Sequence, residues 1–144
     1  MEVATMGSNS IEFPNTDYAK MNILLWNCRG AFNVDFARRI YEMAVSYSPS
    51  IMVLTETRVG GERAARIIEK LPFDGSFSTD SIGYAGGLWL LWKKEEVEVS
   101  MLSSMEQEIH ASIKVSNSNL SWLFSSIYAS PCLYEKKKKI YGQI

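Results

Sequence analysis

From Asn22 the chain reads N-I-L-L-W, a short apolar run that passes directly into N-C-R-G. A run too short for a buried helix and closed by a glycine turn predicts a strand covered on both faces, with Asn27 at its C-terminal end. The pattern then changes: Phe36, Ile40, Met43 and Tyr47 recur at spacings of four, three and four, which puts them on one face of a helix. Asn33 stands where it can cap that helix, and Pro49 helps end it. Ser50–Leu54 predicts a second buried strand, followed by Thr55-Glu56-Thr57-Arg58 and a Gly60-Gly61 turn. A second helix is expected from about Glu62 to Leu71, burying Ala64, Ile67, Ile68 and Leu71.

After Pro72 the period falls to two. Gly87–Trp92 is an apolar segment; Val97, Val99 and Met101 alternate with Glu96, Glu98 and Ser100; Ile109, Ala111, Ile113 and Val115 alternate with His110, Ser112 and Lys114. These are strands. Asn117-Ser118-Asn119 turns the chain into a further strand over Leu120–Ile127, making a hairpin, and a helix is expected to begin near Leu133. Residues 1–20 are polar, contain Pro14 and show no period, so a flexible leader is expected there, with an α/β domain over 21–144. Strand-helix-strand-helix followed by a meander predicts one mixed sheet with flanking helices. The other face of that sheet needs a cover, and self-association through an uncovered face is the corresponding expectation.

With 144 residues and a hydrophobic fraction of 47%, the chain suits a single domain with a real core. Lys plus Arg total 15 against 16 Asp plus Glu, a formal net charge of -1. No whole-molecule basic field therefore draws in nucleic acid, and any such affinity must be local. Cys28 and Cys132 form no C-x-x-C pair, so neither zinc nor a disulfide framework is indicated and a reducing compartment is the simpler expectation. Glu2, Glu12 and Asp17, with no Arg and no apolar run before residue 21, argue against a secretory signal. No stretch approaches the ~20 apolar residues of a membrane span. An intracellular protein of nucleus or cytoplasm, not secreted and without a membrane partner, is expected.

Asn27 and Glu56 end two strands that should be neighbours, and strand ends are where α/β scaffolds display functional side chains. A carboxylate and a carboxamide in a shallow cleft suit magnesium, which takes oxygen ligands and often only one or two carboxylates. The same residues also read as a solvated Glu and as an Asn in the turn before Gly30.

The string M-N-I-L-L-W-N-C-R-G over Met21–Gly30 resembles the opening strand of the endonuclease of plant LINE-type retrotransposons, a branch of the endonuclease/exonuclease/phosphatase, or DNase-I-like, superfamily. Ser50–Arg58 resembles the second-strand motif of that superfamily. Phe73-Asp74-Gly75, Gly86–Trp92 and Ile127–Pro131 resemble further blocks in the same order. The resemblance implies the N-terminal half of a DNase-I-like four-layer α/β sandwich, and an ancestral activity of magnesium- or manganese-dependent DNA nicking. By the same resemblance Glu56 binds the metal, Asn27 helps organise metal and catalytic groups, and the Tyr128 hydroxyl contacts the scissile phosphate. Arg29 and Arg58 stand where a charge could meet a phosphate. Tyr128 also reads as a core-edge aromatic, and Arg58 as a solvated turn charge.

The Asp-x-Asn and Ser-Asp-His blocks of the superfamily's second half do not occur in this chain. Its one histidine, His110, lies on the polar face of a strand with no Asp beside it, and reads as an exposed strand residue. Lys136–Lys139 reads as a solvated helix face. The expectation is a truncated DNA endonuclease domain, inactive by itself. The alternatives are a noncatalytic metal- or nucleic-acid-binding remnant or gene-model fragment, and a phosphatase of the same superfamily.

Overall fold

A computed structural model describes residues 3–5, 21–79, 86–105 and 107–127. Two short apolar runs form β2 (Ile23–Asn27) and β3 (Ile51–Thr55), which pair in parallel from Ile23↔Ile51 to Asn27↔Thr55. Parallel neighbours need a crossover, supplied here by α1 (Phe36–Tyr47). This helix buries Phe36, Ile40 and Met43 as the periodicity predicts. Tyr47 instead remains 46% exposed, because the helix ends at that residue and Ser48 turns away in a left-handed conformation. Asp35, not Asn33, occupies the N-cap, and its side chain makes no capping bond. Asn33 lies in the preceding turn, where its Nδ2 donates to the Arg29 carbonyl at 3.2 Å and its own carbonyl accepts from the Phe36 N–H at 3.0 Å.

The second helix, α2 (Gly61–Ile68), is shorter than its pattern suggested. Ala64 and Ile68 are buried, Ile67 is half-buried, and Leu71 reaches the core from the turn beyond the helix. Its N–H donates to the Ile68 carbonyl at 2.9 Å. After it the chain enters β4 (Gly75–Ser78) and β5 (Leu88–Trp92). All five residues of β5 are buried, and it runs antiparallel to β3 in the middle of the sheet. The sequence G-S-F-S of β4 carries little strand signal; its place is set by Trp92, which packs over Gly75 so closely that a Cβ there would lie 2.1 Å from the indole Nε1. Val3–Thr5 forms β1, antiparallel to β2. The flexible leader expected over residues 1–20 therefore does not include these three, which complete the order β1-β2-β3-β5-β4.

The period-two segments do not extend this sheet. They pair with one another as β6 (Val97–Met105), β7 (Glu108–Val115) and β8 (Ser121–Ile127), an antiparallel meander. Asn117, at φ 61, makes the β7–β8 turn that its sequence predicted. Ile109, Ala111, Ile113 and Val115 bury against Ile51, Val53, Leu88 and Leu90. The expected single mixed sheet is thus present with its helices, and a second sheet covers its other face. The layers are helices, five strands and three strands. Leu24, Trp26, Met52, Leu54, Trp89 and Leu91 form a separate core with α1 and α2. Two-sided burial is why β3 and β5 read as continuous apolar runs. The cover thins toward β2 and β8, where Ile23, Leu25, Trp122 and Phe124 are only partly buried. Among the described residues no helix is long and apolar enough to cross a membrane.

Adding a methyl at Gly75 must displace Trp92 or part β4 from β5. Gly75→Ala is expected to lower stability by about 1–3 kcal/mol, as overpacking of a filled site does; a shift in the urea midpoint with an unchanged slope is the measurement.

Candidate metal and phosphate site at the strand ends

Backbone pairing continues past the ends of the strands. The Cys28 N–H donates to the Thr55 carbonyl at 3.1 Å, Gly30 to Glu56 at 2.8 Å and Ala31 to Thr57 at 2.9 Å. From the other side, the Thr57 N–H donates to the Gly87 carbonyl at 3.3 Å and Arg58 to Gly86 at 2.9 Å. Three loops are thereby tied into one platform. The tie requires unusual backbone: Arg29, Glu56 and Arg58 adopt φ of 52, 53 and 58, a left-handed region that costs a residue with a side chain about 1–2 kcal/mol. Gly87, at φ 96, passes so close to Thr57 that a Cβ would lie 2.3 Å from its Oγ1. Strained non-glycine residues of this kind gather at functional sites.

On this platform Asn27 is half-buried, and its Oδ1 is buried without a hydrogen-bond donor among the described residues. The Glu56 side chain is 19% exposed and that of Arg58 35%, with Arg58 Nη2 at 3.5 Å from Glu56 Oε2. Arg58 Nε and Thr57 Oγ1 are also buried without partners among the described residues. Arg29 is exposed in the adjoining loop. The structure therefore gathers Asn27, Glu56, Arg58 and the Arg29 loop at one edge, while Tyr128 lies outside the described residues, as do Cys132 and Lys136–Lys139. Sequence reasoning passed over Thr57 and Gly87, whose close approach fixes the loop between Glu56 and Arg58. The available signal was the Gly86-Gly87 pair opening a wholly apolar strand.

Among the described residues no group of three or more His, Cys, Asp or Glu stands ready to hold a metal ion. One carboxylate and one carboxamide oxygen are what the platform offers, a set suited to a cation that keeps most of its water. Cys28 lies beneath the platform, with its thiol donating to the Thr55 carbonyl at 3.4 Å. Burial pushes that thiol up from 9.0 to about 11, and the nearby Glu56 carboxylate adds a smaller push in the same direction.

His110 lies on the outer face of the second sheet, since its neighbours Ile109 and Ala111 face the core. The polar face is where the sequence placed it, but it has an acidic neighbour: Nδ1 is 2.8 Å from Ser125 Oγ and Nε2 is 3.4 Å from Glu108 Oε2. The sheet itself separates this row from the cleft.

No family model matches the chain, and no curated protein matches it. Eleven chains of solved structures do match. One is the AP endonuclease LMAP from Leishmania major, 14% identical, with a TM-score of 0.56 over 75% of this chain and 40% of that one. The fold is a partial DNase-I-like α/β fold. At that identity the likeness concerns architecture alone, and the chain spans less than half the length of its DNase-I-like neighbour.

Two outcomes follow for Cys28. At pH 8 only roughly one native thiol in a thousand is ionised if its pKa is about 11. Peptide mapping after brief iodoacetamide treatment should therefore find Cys28 unmodified in the folded chain and modified in urea. Because the folded state holds this proton more tightly than the unfolded state, the Cys28 contribution to stability is fully present below pH 9 and is lost as pH rises toward about 11. Cys28→Ala should flatten that alkaline decline in urea midpoints.

Proposed function

We propose that the chain carries the metal-binding part of a magnesium-dependent phosphodiester hydrolase acting on DNA, of the kind found in plant LINE-type retrotransposons. The observation that carries this reading is the buried Asn27 Oδ1, without a donor among the described residues at one strand end, while Glu56 follows directly on the paired strand. A buried acceptor without a partner costs about 1–3 kcal/mol, and a hard cation is a partner that would remove the penalty. The donor chemistry fits magnesium or manganese, with Glu56 supplying the carboxylate and Asn27 the amide oxygen. When bound, such an ion polarises a phosphate oxygen and offsets the charge that develops there.

The remaining roles belong to the chain's own groups. Arg58 balances the Glu56 carboxylate and is placed to turn toward a phosphate oxygen; the exposed Arg29 offers a second positive charge at the same edge. Tyr128 is assigned to the scissile phosphate by resemblance alone. The preference for DNA rests on the W-N-C-R-G spelling at Trp26–Gly30, since superfamily phosphatases share the Asn and the Glu. A DNA substrate goes with residence in the nucleus or cytoplasm. The Asp-x-Asn and Ser-Asp-His groups, absent from the sequence, act as a unit with those present, so little rate survives without them.

Magnesium titration followed by tryptophan fluorescence tests the site. The wild-type chain should give a saturable change that Glu56→Ala weakens at least tenfold; a response indifferent to the substitution would remove the metal assignment. In a plasmid-nicking assay both proteins are expected to stay at background. Magnesium-dependent nicking that Glu56→Ala abolishes would instead show that this chain catalyses unaided.

A further inference from the structure

A groove separate from the metal platform lies between the segment leading into α1 and the exposed face of α2. Its volume is about 520 Å³, and it is lined by Phe32, Val34, Arg63, Arg66, Ile67 and Lys70 among others. Two features set it apart from an ordinary solvated helix face. The first is its charge. Arg63, Arg66 and Lys70 recur on one side of α2 and the turn after it, and among the described residues no carboxylate lines the groove. Glu62 and Glu69, the acidic residues of this segment, fall on the adjoining side. None of the three cations joins an ion pair among the described residues, although Arg66 Nε donates to the Glu62 carbonyl at 3.5 Å. In a chain of net charge -1, this is a local concentration of positive charge.

The second feature is an aromatic plane inside the charged groove. Phe32 is 48% exposed, and the Arg63 guanidinium lies 6.0 Å from its ring centroid. One side of the ring therefore faces a cation and the ring keeps open surface. An exposed phenylalanine beside three unpaired cations suits a ligand that alternates anionic groups with flat apolar ones. That alternation is the chemistry of a nucleic-acid strand whose bases are unpaired: phosphates meet the cations, and a base stacks on the ring. A duplex keeps its base faces internal and could not use Phe32 in this way. An acidic peptide would engage the cations and leave the ring without a role.

We propose that this groove binds single-stranded nucleic acid, with Phe32 as the stacking platform and Arg63, Arg66 and Lys70 as phosphate contacts. At a helix rise of about 1.5 Å per residue the three cations span ~10 Å, so they can meet neighbouring phosphates of one strand. Phe32 follows directly on Gly30-Ala31, whose N–H groups are bonded to the Glu56 and Thr57 carbonyls. A strand held in the groove would thus run to the edge of the metal platform. Binding there needs neither Glu56 nor a metal ion, so the groove stands or falls independently of the catalytic proposal.

The test is fluorescence anisotropy of a labelled ten-nucleotide oligothymidylate with the full chain in EDTA, at several salt concentrations. Wild type and Glu56→Ala should bind alike. Arg63→Ala/Arg66→Ala/Lys70→Ala should bind at least tenfold more weakly, with a salt slope reduced by about 2, the loss of three contacts at ~0.7 each for single strands. Phe32→Leu, which keeps an apolar side chain without the ring, should cost at least fivefold, within the range of base–aromatic stacking. Circular dichroism and urea midpoints of each variant establish that it is folded, and Arg66→Glu provides a second charge variant should the triple substitution unfold. Four results would each overturn the proposal. They are no oligothymidylate binding by wild type, folded charge variants that bind as wild type does, a Phe32→Leu chain of unchanged affinity, and equal competition by polyglutamate.

Discussion

Parallel pairing of β2 with β3 forces their C-terminal ends to the same edge, and the register Asn27↔Thr55 brings those ends level. Much else at that edge is a consequence. A carboxamide ends one strand and a carboxylate follows the other at the same edge. The ladder then runs on through Cys28, Gly30 and Ala31, so the loops bearing Arg29, Glu56 and Arg58 are held by backbone bonds rather than by their own side chains. The backbone thus sets where these side chains start, while Glu56 and Arg58 also pair with each other at 3.5 Å.

The parallel pair persists because it is dry on both sides. Residues of β3 alternate between the helical core, through Met52 and Leu54, and the inter-sheet core, through Ile51 and Val53. Trp26, Phe36 and Trp89 form a short aromatic column on the helical side, with Trp26 and Phe36 stacked at 5.8 Å and Phe36 meeting Trp89 edge-on at 5.8 Å. Trp26 immediately precedes Asn27, so packing of the helix against the sheet fixes the strand end that carries the amide. Fold and site share one element here.

The elements with strong periodicity were legible from the sequence: β2, β3, α1, β5 and the β7–β8 hairpin all lie where their apolar patterns placed them. The boundaries and edges were not. Tyr47 matched the helical spacing and still faces solvent, because spacing cannot show that the helix ends at that residue. Val3–Thr5 and Gly75–Ser78 are edge strands with weak patterns of their own. They are fixed by partners far along the chain, Leu24–Trp26 for one and Trp92 for the other. Asn27 and Glu56 could be singled out because they stand at the ends of apolar runs. Phe32 and Arg63 could not, since only the packing of α2 beside the 31–35 segment makes them one surface.

The left-handed backbone at Arg29, Glu56 and Arg58 separates what the loops need from what their side chains add. Each position would be relieved by glycine, which adopts that conformation freely, so each side chain is held against a small thermodynamic gradient of about 1 kcal/mol. Glycine at any one of the three would therefore keep the backbone path of this edge while removing a charge from it, so the loop geometry and the charge at this edge are separable by single substitutions.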